Sequence, residues 1–524
     1  MGRPEAARRP TLLMPETQPA RTDYRQTLNL PRTDFPMRAE LPKREPDRVR
    51  WWAEHDVYRK RLARNAGNPP FILHDGPPYA NGDLHMGHFL NRVLKDAFVK
   101  INLLDGRHAD FLPGWDMHGL PIERETLVHL GLDFHQVDPL ELRAKCRERA
   151  LYWLDRQRAQ MLRMGLFGHF DDPYMTIDPR FEATIVETLA DLAEARQLYK
   201  GLRATLWCVY DETALAEAEI EYKEHVSPSI YVRFPAGAAQ RSDLLRRFGV
   251  TGDDGGRLSV AIWTTTPWTL PANVAIAINP DFAYTLLALD GEYVVVAEAL
   301  VAQFLAAAFE KPPTVAGRWT IPGTALAGAA VRHPFLDRDS AIVGAPYVEL
   351  ETGTGAVHTA PGHGADDFDT GVAYGLPILN PVDAAGRFTV EAGPYAGRFI
   401  FEAQEQIVHD LRAAGLLFAA AAYEHSYPHC WRCKNPVVYR ATAQWFIAMD
   451  ANGLRERIVA QIPSVTWTPA WGEERMTQMI ENHPEWCVSR QRTWGTPIPA
   501  LICDRCQEST LDPAVARNAA ARFR

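Results

Sequence analysis

The sequence predicts an α/β protein in which a parallel-sheet domain is interrupted by an inserted, largely β domain. Three observations carry that reading. From Asp23 to about Tyr222 short apolar runs alternate with long amphipathic stretches, the pattern of a parallel sheet covered by helices. From about Lys223 to Ala420 Gly, Pro, Ala and Val rise, and β-type runs stand at Ser229–Phe234, Leu258–Trp263, Ala283–Ala288 and Tyr293–Ala297. After Tyr423 the aromatic and charged character of the first part returns. The chain therefore divides into an extension (1–22), a first part of the α/β domain (23–222), the insert (223–420) and a second part of the α/β domain (421–524).

Size and charge narrow the function. A chain of 524 residues with 46% hydrophobic content divides into about three domains. Its net charge of −9 excludes a generally basic nucleic-acid binder, so RNA contacts must come from local patches. No apolar run reaches the ~18 residues of a membrane span, and the opening MGRPEAARRP lacks the core of a signal peptide, which predicts a cytoplasmic protein with no membrane partner. Residues 1–22 have no periodicity and read as disordered; their arginines hint at a transit peptide, against which Glu5 and Glu16 count.

Phe71–His74 reads as a short buried strand, followed by the turn-forming Asp75-Gly-Pro-Pro-Tyr-Ala-Asn-Gly82. A helix then begins, with Leu90, Val93, Leu94, Ala97 and Phe98 at helical spacing and His85-Met-Gly-His88 at its amino end. Strand, loop and helix start form a phosphate-binding geometry, because unpaired N–H groups and the helix dipole point at the anion. His85 and His88 can donate to a triphosphate as its charge shifts, and Gly87 leaves room for the nucleotide.

The stretch Gly76-Pro-Pro-Tyr-Ala-Asn-Gly-Asp-Leu-His-Met-Gly-His88 resembles the signature of the class I aminoacyl-tRNA synthetases, in the form of the isoleucyl branch. Leu112-Pro-Gly-Trp-Asp-Met-His-Gly-Leu-Pro-Ile-Glu123 and Trp486-Cys-Val-Ser-Arg-Gln-Arg-Thr-Trp-Gly-Thr-Pro-Ile-Pro499 resemble two further blocks of that family, in the same order. The resemblance implies a Rossmann-type catalytic domain that joins isoleucine to tRNA(Ile) using ATP with Mg2+, in a monomer. It also implies that Asp116 takes the substrate ammonium and that Pro77 and Trp494 line the side-chain pocket.

A hydrophobic pocket rejects a substrate one methylene smaller by only ~1–3 kcal/mol, a limit of which the isoleucyl enzyme is itself the standard instance. Mischarged valine must then be removed at a second site. Trp263-Thr-Thr-Thr-Pro-Trp-Thr-Leu-Pro-Ala-Asn273 and Gly353-Thr-Gly-Ala-Val-His-Thr-Ala-Pro-Gly-His-Gly-Ala-Asp-Asp-Phe368 resemble the halves of the family's editing pocket, which makes the insert an editing domain. The resemblance implies that Asp367 holds the amino group of misattached valine, with Asp366 as the adjacent alternative. It also implies that His358 and Thr264, Thr265 and Thr266 bound the side-chain and ribose region. A free-standing deacylase of mischarged tRNA is the second functional reading.

Cys430-Trp-Arg-Cys433 and Cys503-Asp-Arg-Cys506 offer four thiolates in two knuckles, the donor set of a structural zinc. Cys208 stands where some relatives have a further Cys-x-x-Cys, but Asp211 occupies its second position, so no metal is expected at Cys208. Cys146 and Cys487 read as small buried apolar residues. The Lys-Met-Ser-Lys-Ser loop and the Asp-Val-Trp-Phe-Asp-Ser-Gly segment that the resemblance calls for are absent, and the chain stops in a helix expected from Pro513 to Phe523, which reads as a truncation.

Overall fold

The alternating apolar runs of the insert become strands at the places the sequence marks. The computed structural model of the chain describes residues 23–29, 33–252, 255–482, 485–506 and 508–524, so the extension 1–22 lies outside the described residues. Ser229–Phe234 lies within the strand Ile220–Pro235, Leu258–Trp263 within Arg257–Thr264, Ala283–Ala288 within Ala283–Leu289, and Tyr293–Ala297 within Glu292–Ala297. With Gly317–Pro322 and Leu417–Cys430 they make a six-stranded sheet. A four-stranded sheet of Ala330–Arg332, Asp339–Gly344, Ala275–Ile278 and Ala356–Thr359 accompanies it. Ile230, Val232, Phe234, Val260, Ile262, Ile276, Ile278 and Val294 are buried together in one apolar core. Burial on both faces goes with the near-continuous apolar runs of Leu258–Trp263, Ala283–Ala288 and Tyr293–Ala297, while Ser229–Phe234 alternates buried and half-buried positions.

The strands that enter and leave the insert pair with each other. Ile220–Pro235 runs antiparallel to Leu417–Cys430, from Val232 opposite Leu417 to Ile220 opposite Cys430. An insert whose two ends leave side by side can be carried without disturbing its host. Beyond the ribbon, Leu198–Cys208 pairs antiparallel with Val438–Ile447, so residues before and after the insert share a sheet.

The chain forms two compact units. The smaller comprises the described residues up to 73, with 89–111 and 159–168. Its core gathers Tyr58, Leu62, Val99, Leu103, Ala109 and Phe111. Asn65 Nδ2 ties it together by donating to the carbonyls of Leu103 and Arg107, each at 2.8 Å. The expected helix runs from Met86 to Leu104, and Pro513–Phe523 is helical as expected. On the first of these helices the stripe of Leu90, Val93, Leu94, Ala97 and Phe98 is exposed, and Arg92, Val99 and Leu103 take the buried face. The buried strand expected at Phe71–His74 is not formed. Ile72 is 82% exposed, and the pairing there is a single parallel bridge from Pro70 to His108. A strand needs a neighbour along its length to satisfy its backbone; here the neighbour is met at one residue.

In the larger unit, residues 74–88, 112–158 and 169–524, parallel pairing is present in short pieces. Gly114–Trp115 pairs with Tyr174–Met175, and Tyr79 bridges Asp116.

Candidate functional site

The loop that follows Asp75 is held by buried side chains. The Asp75 carboxylate accepts from Gly114 N at 3.2 Å, and its carbonyl accepts from the Tyr174 hydroxyl at 2.8 Å. Gln157, buried, donates to the carbonyls of Tyr79 (2.9 Å) and Gly82 (2.7 Å) while accepting from the Trp115 indole (2.9 Å). Fully used donors and acceptors in a dry site fix one loop conformation. At the loop's end the rings of His85 and His88 lie 3.9 Å apart at the start of the helix Met86–Leu104. Gly87 N donates to His85 Nδ1 at 3.1 Å, which satisfies one of the helix's unpaired amides. A Cβ on Gly87 would come within 2.9 Å of the His85 ring, so glycine is required for this close approach.

Asp116 stands at the carboxyl end of the short strand Gly114–Trp115, where it exchanges backbone bonds with Pro78 and Ala80. Burial raises its carboxyl above the ordinary range, opposed by a backbone N–H from His118 and by the charge of Arg432. The segment of Trp494 packs on this strand's continuation. The Trp494 indole donates to Met117 O at 2.7 Å, its backbone N donates to Glu123 Oε2 at 2.8 Å, and its carbonyl accepts from Gly119 N at 3.0 Å. Glu123 and Arg492, 0% and 7% exposed, form an ion pair at 3.2 Å beneath it. Arg143 clamps the same turn through the carbonyls of Thr493 and Gly495. Pro77 is half-buried in the loop two residues before Tyr79. His118 Nε2 lies 3.2 Å from Glu182 Oε1 but off hydrogen-bonding geometry, and burial pushes that imidazole down to about 4, so it is neutral.

The insert holds a second, separate constellation. The hydroxyls of Thr264 and Thr266 lie 3.2 Å apart, Thr266 reaches Thr269 at 3.5 Å, and Thr269 meets His358 Nε2 at 2.8 Å. Thr265 is half-buried beside them. His358 sits on the strand Ala356–Thr359; burial pushes it down to about 4, and its Nδ1 is buried without a partner. His363 is likewise pushed to about 4 by burial, with Nε2 unpartnered. One residue past that strand, Ala360 N donates to Asp367 Oδ2 at 2.9 Å. Asp367 is in the first turn of the helix Ala365–Tyr374, and burial raises its carboxyl to about 6. Asp366 is exposed on the same turn. The residue before this helix is Gly364, where a Cβ would lie 3.0 Å from the Asp367 carboxyl carbon and push it off Ala360.

A third cluster joins the base of the ribbon. The Cys208 and Cys433 sulfurs lie 3.5 Å apart, and the Asp211 carboxylate is 3.4 Å from Cys208 Sγ and 3.5 Å from Cys430 Sγ. A tetrahedral ion with ~2.3 Å bonds to sulfur has ligand-to-ligand edges of about 3.7 Å, so these four donors fit one ion. Hydrogen bonds within the cluster hold the Cys430 thiol low and push the Cys208 and Cys433 thiols up, so the three share their protons as a unit.

The description of the class I tRNA synthetases (I, L, M and V) matches residues 47–524. The chain belongs to that family. Its relatives include the isoleucine–tRNA ligase of Carboxydothermus hydrogenoformans, 51% identical over 92% of this chain and 51% of the relative. That of Moorella thermoacetica is 47% identical over 96% and 52%. The chain thus spans about half the length of the curated relatives it matches.

Of the residues singled out in the sequence, the structure brings Asp116 to Trp494 through Met117, and His85 to His88. It joins Thr264 and Thr266 to His358 through Thr269. It does not bring the two cysteine pairs together. The hairpin of Cys503 and Cys506 lies beside Lys200–Leu202, while Cys208, at the far end of the same strand, meets Cys430 and Cys433. Six residues of strand separate those places, roughly 20 Å. Where no metal was expected at Cys208, the structure instead gathers four donors that could hold one, since a carboxylate can serve as the fourth donor. Cys146 is buried as expected, and Cys487 is only half-buried. Sequence reasoning missed Gln157, Thr269, Arg432 and the Glu123–Arg492 pair. Glu123 and Arg492 both fall inside the matched blocks, which was the available signal.

Proposed function

We propose that the chain is the synthetic-site and editing part of an isoleucine–tRNA ligase, acting on isoleucine, ATP with Mg2+ and tRNA(Ile). The observation that carries the reading is the presence of two separate polar sites in one chain. One has Asp116 beside the Trp494 segment, and the other has a half-buried Asp367 with orphaned imidazole nitrogens near a threonine network. Two sites answer the discrimination problem that one apolar pocket leaves. In the first, Asp116 pairs with the substrate ammonium while His85 and His88 face the phosphates. In the second, Asp367 holds the ammonium of misattached valine. The hydroxyls of Thr264, Thr265 and Thr266 order the water that attacks the ester carbonyl, and the tRNA ribose oxygen leaves with a proton. No serine or cysteine nucleophile is needed, because water forms the new bond to carbon directly.

The expected outcome is that the protein hydrolyses valyl-tRNA(Ile) at least tenfold faster than isoleucyl-tRNA(Ile). Equal rates would overturn the editing reading. A polypeptide of these 524 residues alone carries no Lys-Met-Ser-Lys-Ser stretch, so it is expected to form isoleucyl-adenylate slowly. A free-standing deacylase would show the same hydrolysis and no isoleucine binding at Asp116.

Cys208, Asp211, Cys430 and Cys433 would hold a structural zinc, which would tie the ribbon base to the α/β domain. Metal analysis is expected to give about one zinc per chain, lost in Cys430→Ser and kept in Cys503→Ser. Loss in Cys503→Ser would show that the metal sits elsewhere.

A further inference from the structure

Between the cysteine ligands of the ribbon base stands a cation that none of the roles above uses. The turn Cys430-Trp-Arg-Cys433 aims Arg432 back at the synthetic site. Its guanidinium carbon lies 3.8 Å from the Trp431 ring centre and 4.9 Å from that of Tyr79, whose own ring meets Trp431 at 6.2 Å. Tyr79 is the residue that bridges Asp116. Two of the guanidinium nitrogens, Nε and Nη2, are buried with no hydrogen-bond acceptor. The Tyr79 side chain and the charges of Glu219 and Cys430 act on this guanidinium, but none of them accepts from Nε or Nη2, and buried N–H groups left without an acceptor are costly.

The geometry points to Arg432 as the receiver of the α-carboxylate of the amino acid whose ammonium Asp116 holds. This rests on the reading of Asp116 given above. An α-amino acid carries its ammonium and carboxylate on one carbon, so a site that recognises it as a zwitterion needs a carboxylate and a cation on neighbouring walls. Asp116 and Arg432 supply them across Tyr79. Planar N–H donors on Nε and Nη2 match the two oxygens of a carboxylate, which a lysine ammonium cannot do in the same way. The Trp431 and Tyr79 rings hold the guanidinium plane, and the ligand turn on either side fixes where it points.

The test is equilibrium binding of isoleucine and of isoleucinol, which keeps the ammonium and side chain but replaces the carboxylate by a neutral hydroxymethyl. The unmutated protein is expected to prefer isoleucine by about ten- to a hundredfold, the range of a charge-assisted bond in a largely dry site. Arg432→Gln should bring isoleucine down to the level of isoleucinol and leave isoleucinol unchanged. Arg432→Lys should restore part of the preference. A structural role alone would weaken both ligands together, and that result, or an undiminished preference in Arg432→Gln with its metal content intact, overturns the assignment. Asp116→Asn separates the two claims, since it should weaken both ligands. If it weakens neither, or if the unmutated protein binds neither, the Asp116 reading itself fails, and the carboxylate role of Arg432 falls with it.

Discussion

The proposed editing pocket and the proposed synthetic site sit in the same chain but are built in opposite ways. The constellation of Asp367 and His358 joins the first turn of the helix Ala365–Tyr374 to the strand Ala356–Thr359, in a segment whose ends are closed by one antiparallel ribbon. The synthetic site is gathered from residues near 75, 116 and 494, joined by single side chains such as Gln157, Glu123 and Arg143. The difference teaches that a pocket within one continuous core is stabilised by area, whereas a site assembled from distant segments depends on a few buried polar bonds. Removing one partner of such a bond leaves the other buried and uncompensated.

The largest effect should follow from breaking the assembled site. Glu123→Ala leaves Arg492 buried without its partner and removes the acceptor of Trp494 N. A loss of about 3–5 kcal/mol is expected in denaturant unfolding, with isoleucine binding lost as well. A change under 1 kcal/mol would show that the pair is not what holds the Trp494 segment.

Acid should sharpen the same contrast from the other side. Burial pushes His333, His358 and His363 to about 3, 4 and 4. Each has a folded value below the unfolded one, so the folded state cannot take up the proton, and stability falls as pH drops below about 6.5. With some relaxation, roughly 1 kcal/mol per pH unit for each is the upper range. Asp367 has the opposite sign. Its folded value of about 6 lies above the unfolded value, so its charge costs stability above that pH, and the cost is relieved as pH falls through 6. Between pH 6.5 and 4.5 the three histidines outweigh the one carboxyl. Amide-exchange free energies of Ala275–Ile278 should therefore decrease over that window, and Asp367→Asn should gain about 1–2 kcal/mol at pH 8 relative to pH 5. Flat profiles would mean that these groups are better hydrated than their burial indicates.

The insert was the more legible region. Leu258–Trp263, Ala283–Ala288 and Tyr293–Ala297 are buried along nearly their whole length, and a run of Val, Ile and Leu carries that information locally. The blocks that carry the family resemblance were legible as motifs, since His85, Asp116 and Trp494 lie in contiguous stretches. Phe71–His74 misled because a strand's existence depends on a neighbour that four residues of sequence do not specify. The metal donors misled for a similar reason. Two Cys-x-x-Cys pairs look like partners, but which knuckle meets which is set by strand pairing more than 200 residues apart, and a carboxylate such as Asp211 among the candidate donors leaves no cysteine to count. Arg432 was invisible between two cysteines whose spacing drew the attention.

The central claim, that a second site in the insert removes misattached valine through Asp367, is tested most directly by valyl-tRNA(Ile) hydrolysis in a pair of variants. Losing a charge-assisted bond in this half-buried pocket should cost Asp367→Ala ~2–4 kcal/mol of transition-state binding, about a thirty- to several-hundredfold loss of rate. Asp366→Ala, altering an exposed carboxylate on the same helical turn, should stay within about threefold of the unmutated protein. The account predicts that asymmetry. Unchanged hydrolysis in Asp367→Ala, or a larger loss in Asp366→Ala, would contradict it.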